Sequence, residues 1–238
     1  MTETNVRSAT HIDTDESALD DALEMTFPAS DPVAPPAITR INVAADKFAT
    51  KTDGFQTGID LRKIKIAVLV TDGFEQAELL EPMQALEAAG ATVEIISDKI
   101  GSVQGFEHTA KGKSIDVDIS LDDARPDDYS AVLLPGGVVN GDAMRTLPKA
   151  RKFVQELNRA NKPIASICHG GWLLISAGIA NDRTVTSWPS LQDDFTNAGA
   201  VWVDKEVVCD ANFVTARKPH DIPAFNKAFI SLLRHHQP

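Results

Sequence analysis

The chain has 238 residues, 43% hydrophobic and 24% charged, with 14 Gly, 13 Pro and 2 Cys, a composition that excludes collagen-like, low-complexity and disulfide-scaffold proteins. The formal net charge is −11 at pH 7, and most of it falls in residues 1–60, where 4 Lys and Arg face 11 Asp and Glu. Neither part clusters Lys and Arg as binding to phosphates or anionic lipid requires, so no nucleic-acid or membrane partner is expected.

Residues 1–60 hold Pro28, Pro32, Pro35 and Pro36 and show no strand-like alternation, so they read as an acidic arm rather than a domain. Within the arm, Leu19, Ala22, Leu23 and Phe27 recur at helical spacing and predict a short helix from Glu16 to Phe27, ended by Pro28. The opening residues lack the basic and apolar regions of a secretory signal. The longest apolar run, Ile66 to Val70, is too short for a bilayer. A soluble, cytoplasmic protein is expected.

From Leu61 to Pro238 apolar β-branched runs alternate with helical patterns, the signature of an α/β domain with a mainly parallel sheet and helices on both faces. Ile64 to Val70 predicts a strand buried on both faces, followed by a helix that ends near Ala89 with Gly90 as its cap. Pro82 removes a bond to the Glu78 carbonyl and predicts a bend or a fresh start of that helix. Strands follow at Val93 to Ile96, Ala131 to Leu134 and Ile164 to Ile167. Gly101 to Ser120 reads as a hairpin beside the sheet. Leu147, Ala150, Phe153, Val154 and Leu157 mark a helix with Pro148 in its first turn. His169 to Ala177 predicts a helix stopped by Gly178. Short strands are expected near Thr184 to Thr186, Val201 to Val203, Val207 to Cys209 and Phe213 to Ala216. Ile222, Phe225, Ala228, Phe229, Leu232 and Leu233 form the apolar stripe of a closing helix.

Ligands of parallel sheets collect at the carboxyl ends of the strands, and three motifs fall there: Asp72 to Glu78, Pro135-Gly136-Gly137, and Cys168-His169-Gly170-Gly171. Cys168 occupies the corner between a strand and a helix, the geometry of a nucleophile elbow. A sulfur near a helix N-terminus is expected to ionise more readily than a free thiol. Cys209, in an apolar run without a glycine corner or a neighbouring His, reads as structural. With no Cys-x-x-Cys pair and no His cluster, neither a metal site nor a cofactor is expected.

Ala165-Ser166-Ile167-Cys168-His169-Gly170, with Leu133-Leu134-Pro135-Gly136-Gly137, Phe74-Glu75-x-x-Glu78 and Ser187-Trp188-Pro189-Ser190, resembles the PfpI/ThiJ family of cysteine-dependent intracellular hydrolases, which includes proteases, deglycases and glyoxalases. The likeness runs from about Lys63 to Leu233 and implies a flavodoxin-like sandwich. It makes Cys168 the nucleophile, His169 its proton shuttle, and Glu78 a protonated carboxyl bonded to the sulfur. Gly137 and His169 become the oxyanion donors. Glu75, one helical turn before Glu78, is a second acid. In relatives an acid from the neighbouring subunit orients the histidine; Asp142 fits that place only with one inserted residue, and it would require a homodimer or larger assembly. Gly171 stands where relatives often have proline, a change expected to loosen the helix after the elbow.

The implied substrate is a small carbonyl compound, a glycated protein or a peptide, with a role in stress protection; a non-enzymatic redox sensor or chaperone built on an oxidisable Cys168 is the alternative. Class I glutamine amidotransferases share the elbow but use a His-x-Glu pair, which does not occur after Cys168. His220-Asp221 reads as a helix start, and His108, His235 and His236 as surface residues.

Overall fold

The computed structural model describes residues 61–235; the expected helix from Glu16 to Phe27 and His236 lie outside the described residues. In chain order the strands are β1 (Lys65–Leu69), β2 (Phe74–Glu75), β3 (Thr92–Ser97), β4 (Ser102–Glu107), β5 (Ala110–Asp116), β6 (Ile119–Ser120), β7 (Ala131–Leu134), β8 (Ile164–Ile167), β9 (Thr184–Val185), β10 (Val201–Trp202), β11 (Val207–Asp210) and β12 (Phe213–Ala216). The helices are α1 (Gln76–Ala88), α2 (Val138–Thr146), α3 (Pro148–Arg159), α4 (Gly171–Ser176), α5 (Gln192–Asn197) and α6 (Ile222–His235).

The apolar run from Ile66 to Val70 is buried on both faces because its alternate residues serve two cores. Ile66, Val68 and Val70 pack with Leu79 and Leu86 of α1 and Phe225, Phe229 and Leu233 of α6. Ala67 and Leu69 look the other way, among Ala150, Phe153, Val154 and Leu157 of α3, Leu173 and Leu174 of α4 and Phe195 of α5. Each fully buried Leu or Phe contributes about 1.5–3 kcal/mol of transfer free energy, so the sandwich is held by both layers together. The expected two-faced α/β architecture is the observed one.

The main sheet runs β11-β12-β8-β7-β1-β3-β6. Its pairs are parallel except for β11, which returns antiparallel on β12 at one edge. β4 and β5 form the expected hairpin beside the sheet, with β2 added parallel to β4. Strands β7, β8 and β12 have the boundaries read from the sequence.

Four local readings are corrected. Of the bend or fresh start expected at Pro82, the fresh start does not occur: the helix is one continuous element, α1, with Pro82 buried, because tertiary packing of Leu79 and Leu86 outweighs one missing backbone bond. Glu75 is not on that helix; it is extended at φ −72 and ψ 117, paired in β2, and forms the N-terminal boundary of α1. Helices α2 and α5 were not foreseen. α2 carries two β-branched valines, Asn140 and Gly141, all poor helix formers, so its helicity is a product of packing rather than propensity.

Candidate active site

Strands β8, β7 and β1 are neighbours, so the three motifs at their carboxyl ends meet in one place. At the end of β8 the chain turns at once into a 3-10 turn, Cys168–Gly170, and then into α4. Cys168 has φ 58, a left-handed conformation that costs a non-glycine residue on the order of 1–3 kcal/mol. The elbow packs tightly on the loop after β7: a Cβ at Gly136 would lie 2.7 Å from Cys168 Cβ and 2.9 Å from the His169 nitrogen. Nothing larger than glycine fits under the elbow.

The Cys168 sulfur is 3.3 Å from His169 Nδ1 and is also reached by the backbone N–H groups of His169 and Gly137. These are the two donors expected for an oxyanion. His169 Nε2 lies 3.5 Å from Ser190 Oγ, and its ring packs against Trp172 and stacks on Trp188, with centroids 5.0 and 5.9 Å away. Burial lowers the His169 pKa, which favours the neutral ring. A tautomer protonated on Nε2 leaves Nδ1 free to accept the thiol proton.

Glu78, in the first turn of α1, is fully buried. Its Oε2 accepts a 2.8 Å hydrogen bond from Gly136 N–H. Burial raises its pKa to about 8; the charge of Glu75 adds to that push, while the Gly136 and Cys168 hydrogen bonds oppose it. Its Oε1 has no nitrogen or oxygen partner, which leaves the thiol as its polar neighbour. A carboxyl that holds its proton at neutral pH can donate to a sulfur anion.

The expectation of a readily ionised thiol is reversed in the resting site. Burial pushes the Cys168 thiol up and a charge on Glu78 would push it further, while the His169 and Gly137 N–H groups pull it down. A single 3-10 turn leading into a six-residue helix supplies too short a dipole to outweigh desolvation. With Glu78 protonated the second push disappears, and His169 remains as the proton acceptor.

Gly137 has φ 90, and a Cβ there would lie 2.7 Å from the Glu75 nitrogen and 2.8 Å from Phe74 Cα. The glycine is required by its close approach to Gly73 and β2. Asn140 explains how the loop is held. Its buried side chain donates to the Pro135 and Gly136 carbonyls at 2.9 and 3.0 Å and accepts from Thr71 N–H at 2.8 Å. One amide thereby ties the β7 loop to the β1 loop, a role with no sequence signal beyond an Asn after two glycines.

The remaining candidates are scattered. Asp142 is exposed on α2, and its side chain makes no hydrogen bond or ion pair within the described residues. His108 lies on the surface, as expected, at the tip of the β4–β5 hairpin, but it has a partner: its backbone N–H donates to Glu75 Oε2 at 3.1 Å. Cys209 is exposed on edge strand β11 and is no part of the core. Gly171 is buried and has Phe195 ring atoms 2.8 Å from where its Cβ would lie, so its missing side chain is replaced by that ring. His220 is exposed, and buried Asp221 binds Arg217 instead.

Cys168, His169, Glu78 and Glu75 line one cavity of about 510 Å³. Phe106, Val138, Val139, Trp188 and Pro219 form its apolar walls, and His108 and Thr109 close one side. Among the described residues no group of His, Cys, Asp and Glu is arranged to hold a metal ion. No helix among them is long and apolar enough to cross a membrane.

Comparison with known proteins agrees with this geometry. The DJ-1/PfpI family model matches residues 64–232. A deglycase of Thermococcus kodakarensis is 39% identical over 171 residues, 72% of this chain and 100% of that protein. General stress protein 18 of Bacillus subtilis is 41% identical over 171 residues, 71% of this chain and 97% of that protein. Among solved structures, a two-domain protein of Anabaena variabilis with DJ-1/ThiJ/PfpI-like and ferritin-like domains superposes with a TM-score of 0.68 at 31% identity, over 72% of this chain and 48% of that one. With the elbow, the double glycine and the buried carboxyl in one cavity, and a family match over most of its length, this chain belongs to the DJ-1/PfpI family.

Proposed function

We propose that this protein is a cysteine-dependent hydrolase that removes carbonyl adducts from amino-acid side chains. The convergence of Cys168 Sγ, His169 Nδ1 at 3.3 Å and two backbone N–H groups carries the reading. In the reaction, the C–N bond of the adduct's carbinol carbon breaks as its hydroxyl closes to an aldehyde and passes its proton to the departing nitrogen; the sulfur attacks that aldehyde carbon as His169 takes the thiol proton, and a C–S bond forms. The C=O pair moves onto oxygen, where the Gly137 and His169 N–H groups hold it. The hydrogen on the attacked carbon then shifts as a proton to the neighbouring carbonyl carbon while His169 returns its proton to the new hydroxyl, which leaves a thioester, and one water breaks its C–S bond to give a hydroxy acid and the thiol. Glu78 stays protonated and donates to the sulfur whenever it is anionic, so no second charge enters the buried site.

The adduct, rather than a free dicarbonyl, is supported by the cavity. About 510 Å³ falls within the range of sites that enclose drug-sized ligands and far exceeds a three-carbon dicarbonyl. Relatives named as deglycases support the same class. The test compares the parent with Cys168→Ser on methylglyoxal-modified amino acids, free methylglyoxal and fluorogenic peptides. The expected result is turnover of the modified amino acids that falls at least a thousandfold in the variant, from loss of the nucleophile. Equal turnover by both proteins would overturn the mechanism. Selective oxidation of Cys168 by mild peroxide, with no turnover of any carbonyl, would favour the redox-sensor reading instead.

A further inference from the structure

The cavity carries one charge that the reaction outlined above does not use. Glu75 lines it together with Cys168, its side chain only 15% exposed. The carboxylate is fixed by a backbone amide, the His108 N–H on Oε2 at 3.1 Å. The His108 ring is 87% exposed at the cavity edge, with Nδ1 3.9 Å from the same oxygen. No Lys or Arg lines the cavity among the described residues. Glu78 holds its proton near neutrality, with a pKa of about 8, so Glu75 supplies the negative charge of the cavity.

The surrounding wall is apolar: Phe106, Val138, Val139 and Trp188. A neutral substrate that fills such a space strips water from the Glu75 carboxylate and returns nothing, and an anionic one is repelled. A cation restores what the carboxylate loses. We propose that Glu75 is a specificity-determining residue that selects carbonyl adducts borne on a guanidinium, the arginine side chain, over uncharged ones. A guanidinium keeps its charge after a dicarbonyl adds to it and offers a planar fork of N–H donors to a carboxylate. An amine that has become a carbinolamine loses much of its basicity, and a thiol adduct has no charge, so neither engages Glu75 in this way.

The hairpin tip serves the same purpose. His108 has φ 56, a left-handed strain held by its N–H bond to Glu75. That bond occupies one side of the carboxylate, and the remaining oxygen stays available to the cavity.

The inference rests on the adduct-hydrolase reading, and two measurements keep the two apart. Calorimetric binding of N-acetylarginine amide and of its uncharged isostere N-acetylcitrulline amide to the Cys168→Ser protein needs no turnover. Arginine amide is expected to bind about tenfold more tightly, and Glu75→Gln in the same background to remove that difference, while Glu75→Asp keeps most of it. Equal binding of the two compounds, or an unchanged ratio in Glu75→Gln, overturns the role of Glu75 whatever the enzyme turns over. In the catalytic arm, the parent is expected to favour the methylglyoxal adduct of N-acetylarginine amide over that of N-acetylcysteine amide by about tenfold in kcat/KM. Glu75→Gln is expected to lower that ratio through KM on the arginine substrate. A fall of both substrates by one factor overturns selection. Absence of turnover with discrimination in binding retained overturns only the hydrolase reading.

Discussion

Glu78 connects the chemistry of the site to the stability of the fold. Its carboxyl is protonated in both folded and unfolded chains below about pH 4.5, so it exerts no pH dependence there. As pH rises past 4.5 the unfolded chain ionises while the folded site, with its pKa near 8, does not. The folded state therefore loses stability, at about 1.4 kcal/mol per pH unit, until the folded group ionises as well. His169 acts in the opposite sense. Its folded pKa is lowered, so its contribution is complete above the ordinary histidine value and is lost as pH falls through the range below it. Urea titrations of the parent should thus give decreasing stability from about pH 6.5 to 8, with the two groups opposing each other below that range. Glu78→Gln, which keeps an acceptor for the Gly136 N–H, should remove that decline and leave the acid-side loss from His169. A variant that still declines in parallel with the parent would show that another group is responsible.

At the scale of elements, the site depends on glycines that let loops touch. Gly137→Ala places a Cβ against the backbone of β2 and forces φ 90 on a residue that avoids it. A cost of about 3 kcal/mol is expected, a fall in Tm of about 10 °C for a domain this size. The Gly137 N–H also moves, so kcat should fall by more than the loss of folded protein explains. Gly178→Ala is the control: it shares a positive φ, 68, but has nothing within 4 Å of the added carbon. It should cost about 1 kcal/mol and leave kcat intact. Equal losses from both substitutions would mean that backbone conformation, rather than the contact with β2, sets the requirement.

At the scale of the whole molecule, the open question is what faces Val138, Val139 and Asp142. The two valines are 55% and 64% exposed at the mouth of the cavity, and Asp142 follows on the same helix. The resemblance to relatives that complete the site across an interface leads to the proposal that a second copy brings Asp142 to His169. Activity per subunit should then fall on dilution in step with the dissociation seen by sedimentation, and Asp142→Asn should lower kcat without unfolding the chain. Full activity in a monomer would remove Asp142 from the site.

The sequence by itself determined the layers and marked out the candidate site. Continuous apolar strands are buried on both faces, a Cys directly after such a strand and before a Gly-Gly pair turns at the sheet's carboxyl edge, and Cys168, His169 and Glu78 were marked out by the family resemblance that their motifs carry. What only the tertiary structure decided were features set by contacts distant in the chain. Glu75 left the helix for β2 because the β4 edge offered a partner, at Phe106. α2 formed against its propensities because Asn140 and Gly141 were buried under the elbow. The thiol was pushed up rather than down because Cys168 is buried, and burial, unlike helix position, has no signature in the local sequence.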